Sequence, residues 1–225
     1  MELYKYCKNL HHDALLTRGA LRVGTLYDYR RTDVFGERVA DKQEGKKVLG
    51  GVLTHLTAES ELVIPGIKAL RQAGLINIDL SHGGTIEHLT IESAVSESPN
   101  LLLFSTSTEY SNKTHEHWNE AEGYDACYKI TSARLFFRAI SNVLGVGYSF
   151  LGFGSVIYED RIDLKDPRCH VHPAMVKRRS EFFGQAEVRG VWKSNDTKDL
   201  APVLVDTSGA ALYAMPYRRL QPVGA

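Results

Sequence analysis

Short apolar segments recur along the chain, separated by polar or glycine-containing stretches. Most of them are too short for helices and are rich in β-branched or aromatic residues, the pattern of strands that are partly or fully buried. Extended segments are therefore expected at 2–7, 20–29, 48–56, 60–65, 86–95, 100–108, 124–130, 155–164 and 212–220, the last as an edge strand.

Helical periodicity is clearest in "SARLFFRAISNVL" at 132–144. Ser132 can act as the N-cap, and one apolar stripe runs through positions 135, 136, 139, 140, 143 and 144. A shorter helix is expected to start at Asp13 and to end at Gly19. A helix followed by a strand is expected within 66–78, and a further helix is expected at 173–184.

Many short strands with a few helices, and no regular alternation of the two, predict an α+β fold with mainly antiparallel pairing. The length of 225 residues suits one large domain, spanning 1–225, or one domain with an inserted lobe. The densely charged stretch 30–47 is expected to be an exposed loop.

The charge is balanced, with 27 basic and 27 acidic residues, so no global field directs the chain to nucleic acid or to an anionic membrane. Three widely spaced cysteines indicate reduced thiols rather than a disulfide framework. No apolar run approaches the roughly 20 residues that span a bilayer. A soluble, cytoplasmic protein without a membrane partner is expected.

Three short segments contain the candidate chemistry. Lys5 lies between two tyrosines near the start, Ser-Thr-Ser follows an apolar run at 105–107, and Gln185 and Glu187 are two residues apart near the end. On a strand, that last spacing would put both side chains on one face. Taken singly, such segments are typical of strand ends and solvated strand faces, so their order along the chain is what matters.

That order resembles the ADP-ribosyltransferase superfamily, whose toxin-like branch has a basic residue on its first strand, a later S-T-S, and a late Q/E-x-E. The chain is also similar to a bacterial family of unknown function that opens on an L-Y-K-Y strand. That second resemblance extends through Phe104-Ser105 with a nearby Trp118 to a late K…E-x-R segment, here Lys177, Glu187 and Arg189. The resemblance implies two packed, mainly antiparallel sheets with flanking helices and a cleft for NAD.

The resemblance also implies roles for individual residues. Glu187 would stabilise the positive charge that develops on the ribose when the nicotinamide bond breaks, an electrostatic effect of large magnitude. Ser105 would orient Glu187, and Gln185 would lie where the acceptor arrives. NAD itself would be held by six residues: Lys5, Tyr6, Arg22, Tyr29, Thr106 and Ser107. Either Lys5 or Arg22 would bind the diphosphate.

The resemblance implies a macromolecular acceptor. E-x-E accompanies arginine acceptors, whereas the amide of Q-x-E suits asparagine or a nucleobase. A single-stranded nucleic acid is one candidate, contacted by the basic residues Lys177, Arg178, Arg179, Arg134, Arg138 and Arg189; a solvated helix face explains the 177–179 triplet equally well. The chain would then be a toxin or phage-defence effector, with an antitoxin protein as a possible partner. The alternative is a catalytically silent binding module of the same fold.

Two other chemistries are weaker. His115 and His117, and the cluster Cys169, His170 and His172, have only part of the spacing of a zinc site, and no metal is expected. Cys7 and Cys127 lie among apolar neighbours, where an inert buried thiol is the usual outcome, so a Cys–His hydrolase is not favoured.

Overall fold

The computed structural model describes residues 1–34, 40–79, 82–196 and 199–220, without the side chains of Glu61 and Phe183. The strands are β1 (Leu3–Cys7), β2 (Ala20–Thr25), β3 (Lys46–Leu56), β4 (Ile86–Glu97), β5 (Leu102–Ser107), β6 (Ala126–Ile130), β7 (Tyr148–Ser155), β8 (Ile157–Tyr158), β9 (Ile162–Asp163), β10 (Val176–Lys177), β11 (Glu187–Ser194), β12 (Val203–Asp206) and β13 (Ala214–Arg219). The helices are α1 (Asn9–Arg18), α2 (Ser60–Val63), α3 (Pro65–Gln72), α4 (Asn112–Glu122), α5 (Ala133–Leu144), α6 (Arg179–Phe182) and α7 (Ser208–Ala211).

The chain forms two compact units. The first consists of Met1–Lys42, Asn100–Val156 and Gly184–Ala225, and the second of Gln43–Pro99 and Ile157–Phe183. Within the described residues, the first unit contains an eight-stranded sheet in which β12, β2, β5, β1, β6 and β13 follow one another and β11 joins β5 to β7. Every pairing in it is antiparallel.

One face of this sheet packs on α5. Phe136, Phe137 and Ile140 of the helix are fully buried in a cluster that includes Phe104 of β5 and Trp192 of β11. Gly190 of β11 lies under the Phe137 ring, where a Cβ would come within 2.4 Å of a ring carbon. The absence of a side chain at Gly190 therefore lets the helix approach the strand.

The second unit has its own core around Leu49, Leu53 and Leu70. The long strands β3 and β4 pair in antiparallel orientation with α2 and α3 between them in the chain, while β9 joins β3, and β10 joins β8, in parallel. Both units together confirm the predicted α+β class with mainly antiparallel pairing. Among the described residues, no helix is both long enough and apolar enough to cross a lipid bilayer.

Several predicted elements are confirmed with shifted details. Helix α5 occupies the predicted segment, but Leu135 and Val143 are exposed and Phe137, outside the predicted stripe, is buried. Gly19 ends α1 with a φ of 74°. That helix begins at Asn9 rather than at Asp13, because the Asp125 carboxylate accepts hydrogen bonds from the Asn9 backbone and side chain at 2.7 and 2.6 Å.

Other predictions were wrong. The predicted helix at 173–184 is instead a 3-10 turn, the short β10 and the short α6, because 176–177 pair with β8. The predicted strand at 155–164 divides between β8 and β9, which lie in different sheets. The extended segment expected at 60–65 is instead α2 and the start of α3, because the Ile64 N–H donates to Ser60 O at 2.8 Å within a helical turn. No strand follows α3 within the described residues up to 79. In the stretch 30–47, Asp41 and Glu44 are buried, and residues 35–39 lie outside the described residues.

Replacing Gly190 with alanine should destabilise the first unit by about 1–3 kcal/mol, because the added methyl overlaps the Phe137 ring in a packed core. Urea denaturation followed by circular dichroism measures the change. Gly147→Ala is the matched control, since a Cβ there meets nothing within 4 Å. Equal stability of the two variants would contradict the described packing.

Candidate functional site

Strands β5 and β11 bring the middle and late segments together. Their register sets Glu187 opposite Ser107 and Arg189 opposite Ser105. Because facing residues of paired strands share a face, all four side chains lie on one side of the sheet. The Thr108 N–H donates to Ala186 O at 2.9 Å, so the Glu187–Ser107 pair next to it is of the non-hydrogen-bonded type, in which side chains are closest.

The carboxylate of Glu187 is buried and paired with Arg189. Arg189 Nε donates to Glu187 Oε1 at 2.6 Å, and Nη2 donates to Oε2 at 3.2 Å. Only 6% of Glu187 and 1% of Arg189 are exposed. This overturns the assignment of Arg189 to a nucleic-acid backbone, because its guanidinium is enclosed and holds a carboxylate.

Gln185 does not lie on the strand with Glu187. It ends a 3-10 turn, Phe183–Gln185, and Ala186 then has a φ of 44°, which costs an alanine about 1–2 kcal/mol. Gln185 and Glu187 are therefore not placed on one strand face by alternation, contrary to the expectation from their spacing. The turn is still bound to the middle segment, because Ser107 Oγ donates to Gln185 O at 3.1 Å.

The three hydroxyl residues at 105–107 have different positions. Ser107 Oγ lies 2.9 Å from Glu109 O, which shares its hydrogen with Gln185 O, and it accepts a hydrogen bond from the Glu109 N–H at 3.2 Å, so the hydroxyl links two backbone segments. Thr106 points to the opposite face, where its hydroxyl donates to Val188 O at 3.0 Å and the side chain is buried. The structure thus brings Ser105 and Ser107 to the face of Glu187 and does not bring Thr106 there.

The edge of β5 away from β11 is forked. There β2 pairs with β5 at Leu102 and Leu103, and β1 pairs with it at Ser107. Within the described residues no strand pairs with this edge between those points. The Lys5 ammonium donates to Ser105 O at 2.8 Å in this gap and lies 5.2 Å from the centre of the Phe104 ring. Lys5 therefore satisfies a strand carbonyl at the fork. Because Tyr4 faces Ser107, the side chain of Lys5 leaves β1 on the core face with Leu3 and Cys7, opposite to the face of Glu187.

Arg22 and Tyr29 lie on the other branch of the fork. Gly24 pairs with Leu103 and lies on the same sheet face as Arg22. Leu21 and Val23 point to the other face and belong to the core. A Cβ at Gly24 would come within 2.8 Å of the Tyr29 hydroxyl, so the tyrosine ring covers this part of the strand. Arg22, which is exposed, forms an ion pair with Asp28.

These groups act on one another electrostatically. Burial lowers the pKa of Lys5; the Glu187 carboxylate opposes that change and Arg22 reinforces it. Burial also raises the pKa of Tyr29, whose hydroxyl lies in the fields of Arg22, Glu187 and Arg189. Among the described residues, the Arg189 guanidinium faces the Glu187 carboxylate and that of Arg22 faces Asp28, and the Lys5 ammonium lies in the field of Glu187 and Arg22.

An aromatic cluster borders Ser107. Tyr4 lies opposite Ser107, and its ring centre is 5.9 Å from that of Tyr110 and 5.1 Å from that of Tyr217. Tyr6 is buried; its hydroxyl donates to Glu109 O and its ring stacks on Tyr110. The half-exposed rings of Tyr4, Tyr110 and Tyr217 offer a stacking surface beside the hydroxyls.

The other predicted basic contacts are dispersed. Lys177 is buried, with its ammonium 3.7 Å from a Glu44 carboxylate oxygen, and Arg178 pairs with Glu181 at 2.6 Å. The triplet at 177–179 is therefore not a uniformly solvated basic face. Arg134 and Arg138 are exposed on α5.

The alternative chemistries receive no support from the geometry. Burial raises the pKa of the Cys7 and Cys127 thiols to about 12, so neither is a ready nucleophile at neutral pH. His115 is buried and His117 is exposed on the same helix. In the described part of the chain, no three His, Cys, Asp or Glu side chains are grouped to hold a metal ion.

No family model matches the chain, and neither a curated protein nor a solved structure matches it. The description of the site therefore depends on the geometry of these residues alone. Two residues within it were missed or misassigned from the sequence: Gly24, which makes room for Tyr29, and Arg189. The i, i+2 spacing of Glu187 and Arg189 on a strand was the available signal for their pairing.

The buried pair should show strong energetic coupling. Arg189→Met leaves Glu187 without its described partner and should lower the free energy of unfolding by about 3–5 kcal/mol. Adding Glu187→Gln to that variant should restore part of the loss. A double-mutant cycle by urea denaturation measures the coupling, and purely additive losses would contradict the pairing.

His115 should make the protein sensitive to acid. Burial lowers its pKa from the usual 6.5, so the unfolded chain binds the proton more readily than the folded one. The free energy of unfolding should therefore fall as the pH drops from 7 to 5. His115→Phe should flatten part of that dependence, measured by urea denaturation across pH. His117→Gln controls for the loss of an imidazole, and an unchanged slope in His115→Phe would refute the assignment.

Proposed function

We propose that this chain is an NAD-dependent ADP-ribosyltransferase that modifies a macromolecule. The single observation that carries the proposal is the register of β5 and β11, which sets the Glu187 carboxylate on one sheet face with Ser105 and Ser107. Arg22 and Tyr29 adjoin that face on β2 and the turn after it. The proposal joins this geometry to the resemblance of the motifs.

In the proposed reaction, the bond between the ribose C1 and the nicotinamide nitrogen breaks, and nicotinamide leaves as a neutral molecule with the electron pair. The sugar is left as an oxocarbenium-like cation, which the Glu187 carboxylate stabilises. A lone pair of the acceptor then forms the new bond to C1, and the acceptor loses a proton to solvent. With water as the acceptor, the same steps hydrolyse NAD.

The charged side chains around the site affect the binding of both NAD and the acceptor. Arg22 is exposed and lies on the sheet face of Glu187, so it is the described cation best placed to bind the diphosphate of NAD. The Arg189 guanidinium beside Glu187 disfavours a cationic acceptor such as an arginine side chain. A neutral acceptor, such as a nucleobase or an asparagine amide, suits the site better, and the rings of Tyr4, Tyr110 and Tyr217 could stack on a base.

A second candidate function is a silent binding module of the same fold. One observation favours it: both oxygens of the Glu187 carboxylate accept hydrogen bonds from Arg189, and the carboxylate is nearly enclosed. An ion pair of this kind reduces the negative charge available to a sugar cation. The two candidates differ in whether NAD is consumed or only bound.

The test uses the full chain with NAD labelled in its adenylate phosphate, together with a cell extract. Released nicotinamide is measured by chromatography, and the labelled product is treated separately with nuclease and protease to identify the acceptor. Glu187→Gln should lower nicotinamide release by about 100-fold or more, because a stabilising charge is lost in the transition state. NAD affinity should change little.

Glu120→Gln, an exposed carboxylate on α4, is the matched control and should behave as wild type. Circular dichroism and thermal melting confirm that both variants fold. Full activity of Glu187→Gln would refute its role. Binding of NAD by calorimetry, with no nicotinamide released with any acceptor, would favour the binding module.

A further inference from the structure

The orientation of the Glu187 carboxylate is set by Arg189. Two hydrogen bonds of 2.6 and 3.2 Å join Nε and Nη2 of the guanidinium to the two carboxylate oxygens. A planar fork of this kind fixes both the position and the plane of a carboxylate. Because the two residues are neighbours on one strand face and both are buried, other rotamers are restricted by packing.

The serines are less suited to that task. Ser105, to which the motif resemblance gives the orienting role, faces Arg189 in the register rather than Glu187. Ser107 faces Glu187, but the single hydrogen of its hydroxyl is shared between the backbone oxygens of Glu109 and Gln185, at 2.9 and 3.1 Å. The described contacts thus assign the carboxylate to the guanidinium.

We propose that Arg189 is the positioning residue of this site, holding Glu187 ionised and aimed for the ribose; this inference rests on the proposed function. Arg189 does not itself contact the reacting atoms in this scheme. It turns the carboxylate and keeps it charged. The group that orients the Glu187 carboxylate is then the Arg189 guanidinium, a cation, rather than the neutral hydroxyl of Ser105 that the motif resemblance implied.

Other groups around Glu187 must be considered for any pH effect. Lys5 on β1 and Arg22 on β2 supply positive charge, and Tyr29 on the turn after β2 supplies a hydroxyl in the same field. On β7, which flanks β11, Gly154 pairs with Arg189 and Ser155 with Val188, and neither carries a charge. On β1, Tyr4 faces Ser107 on the sheet face of Glu187. A change at Arg189 leaves all of these groups in place.

The test compares Arg189→Gln and Arg189→Lys with wild type in nicotinamide release from NAD between pH 5 and 9. Removing an opposite charge within hydrogen-bond distance raises a carboxyl pKa by about 1–3 units, so the acid limb of the kcat profile should move to higher pH by at least about one unit in Arg189→Gln. At pH 7 its kcat should fall about 100-fold with KM changed less than about threefold. Arg189→Lys should recover part of both effects, since it keeps the charge without the fork.

Arg18→Gln and Arg18→Lys, at an exposed position at the end of α1, are the matched controls and should leave rate and profile unchanged. No nicotinamide release by wild type would overturn the proposed function and this inference with it. An active wild type with an unshifted acid limb in Arg189→Gln would overturn this inference alone, and so would a raised KM with unchanged kcat.

If circular dichroism shows that Arg189→Gln does not fold, the Arg189→Lys variant provides the test of the inference. A lowered kcat with an altered acid limb in that variant supports the inference. A wild-type profile in it overturns the inference.

Discussion

The pairing of β5 with β11 is the constraint on which the site depends. On one face of these strands, Phe104, Val188 and Trp192 are buried against α5. A slip of one residue would turn this apolar set away from the core, so burial enforces the register. The same register fixes the other face, where Glu187 and Arg189 meet the serines of β5. Hydrophobic packing on one side thus positions the polar group on the other.

The fork at the opposite edge of β5 is the second determinant. Where β1 and β2 separate, strand carbonyls lose their usual partners, and buried polar groups of the backbone must be paired. The Lys5 ammonium fills this need at Ser105, and the Tyr29 ring covers Gly24 on the other branch. Lys5 and Tyr29, which the motif resemblance assigned to NAD, thus stabilise an irregular sheet edge.

The Glu187–Arg189 pair is costly as a purely structural feature. Two charges taken from water are compensated only by good geometry and further hydrogen bonds, and apolar replacements in such places are often neutral or stabilising. The strained backbone of Ala186 adds to that cost beside the same carboxylate. Two unfavourable features at one position are easier to understand at a functional site than in an ordinary strand, which is why the pair is central to both proposals.

The sequence by itself determined the local elements with strong periodicity. Helix α5, the buried strand β5 and the glycine end of α1 follow from apolar spacing and from a backbone conformation that favours glycine. The segments 105–107 and 185–187 were also recognisable as a related pair. Tertiary structure decided the rest. The start of α1 depends on Asp125, which is more than 100 residues away, and the division of 173–184 depends on pairing with β8. The pairing of Glu187 with Arg189 required that the Arg189 side chain be buried rather than exposed to solvent. The sequence gives the charge of a side chain, but its burial is determined by all the residues that pack around it.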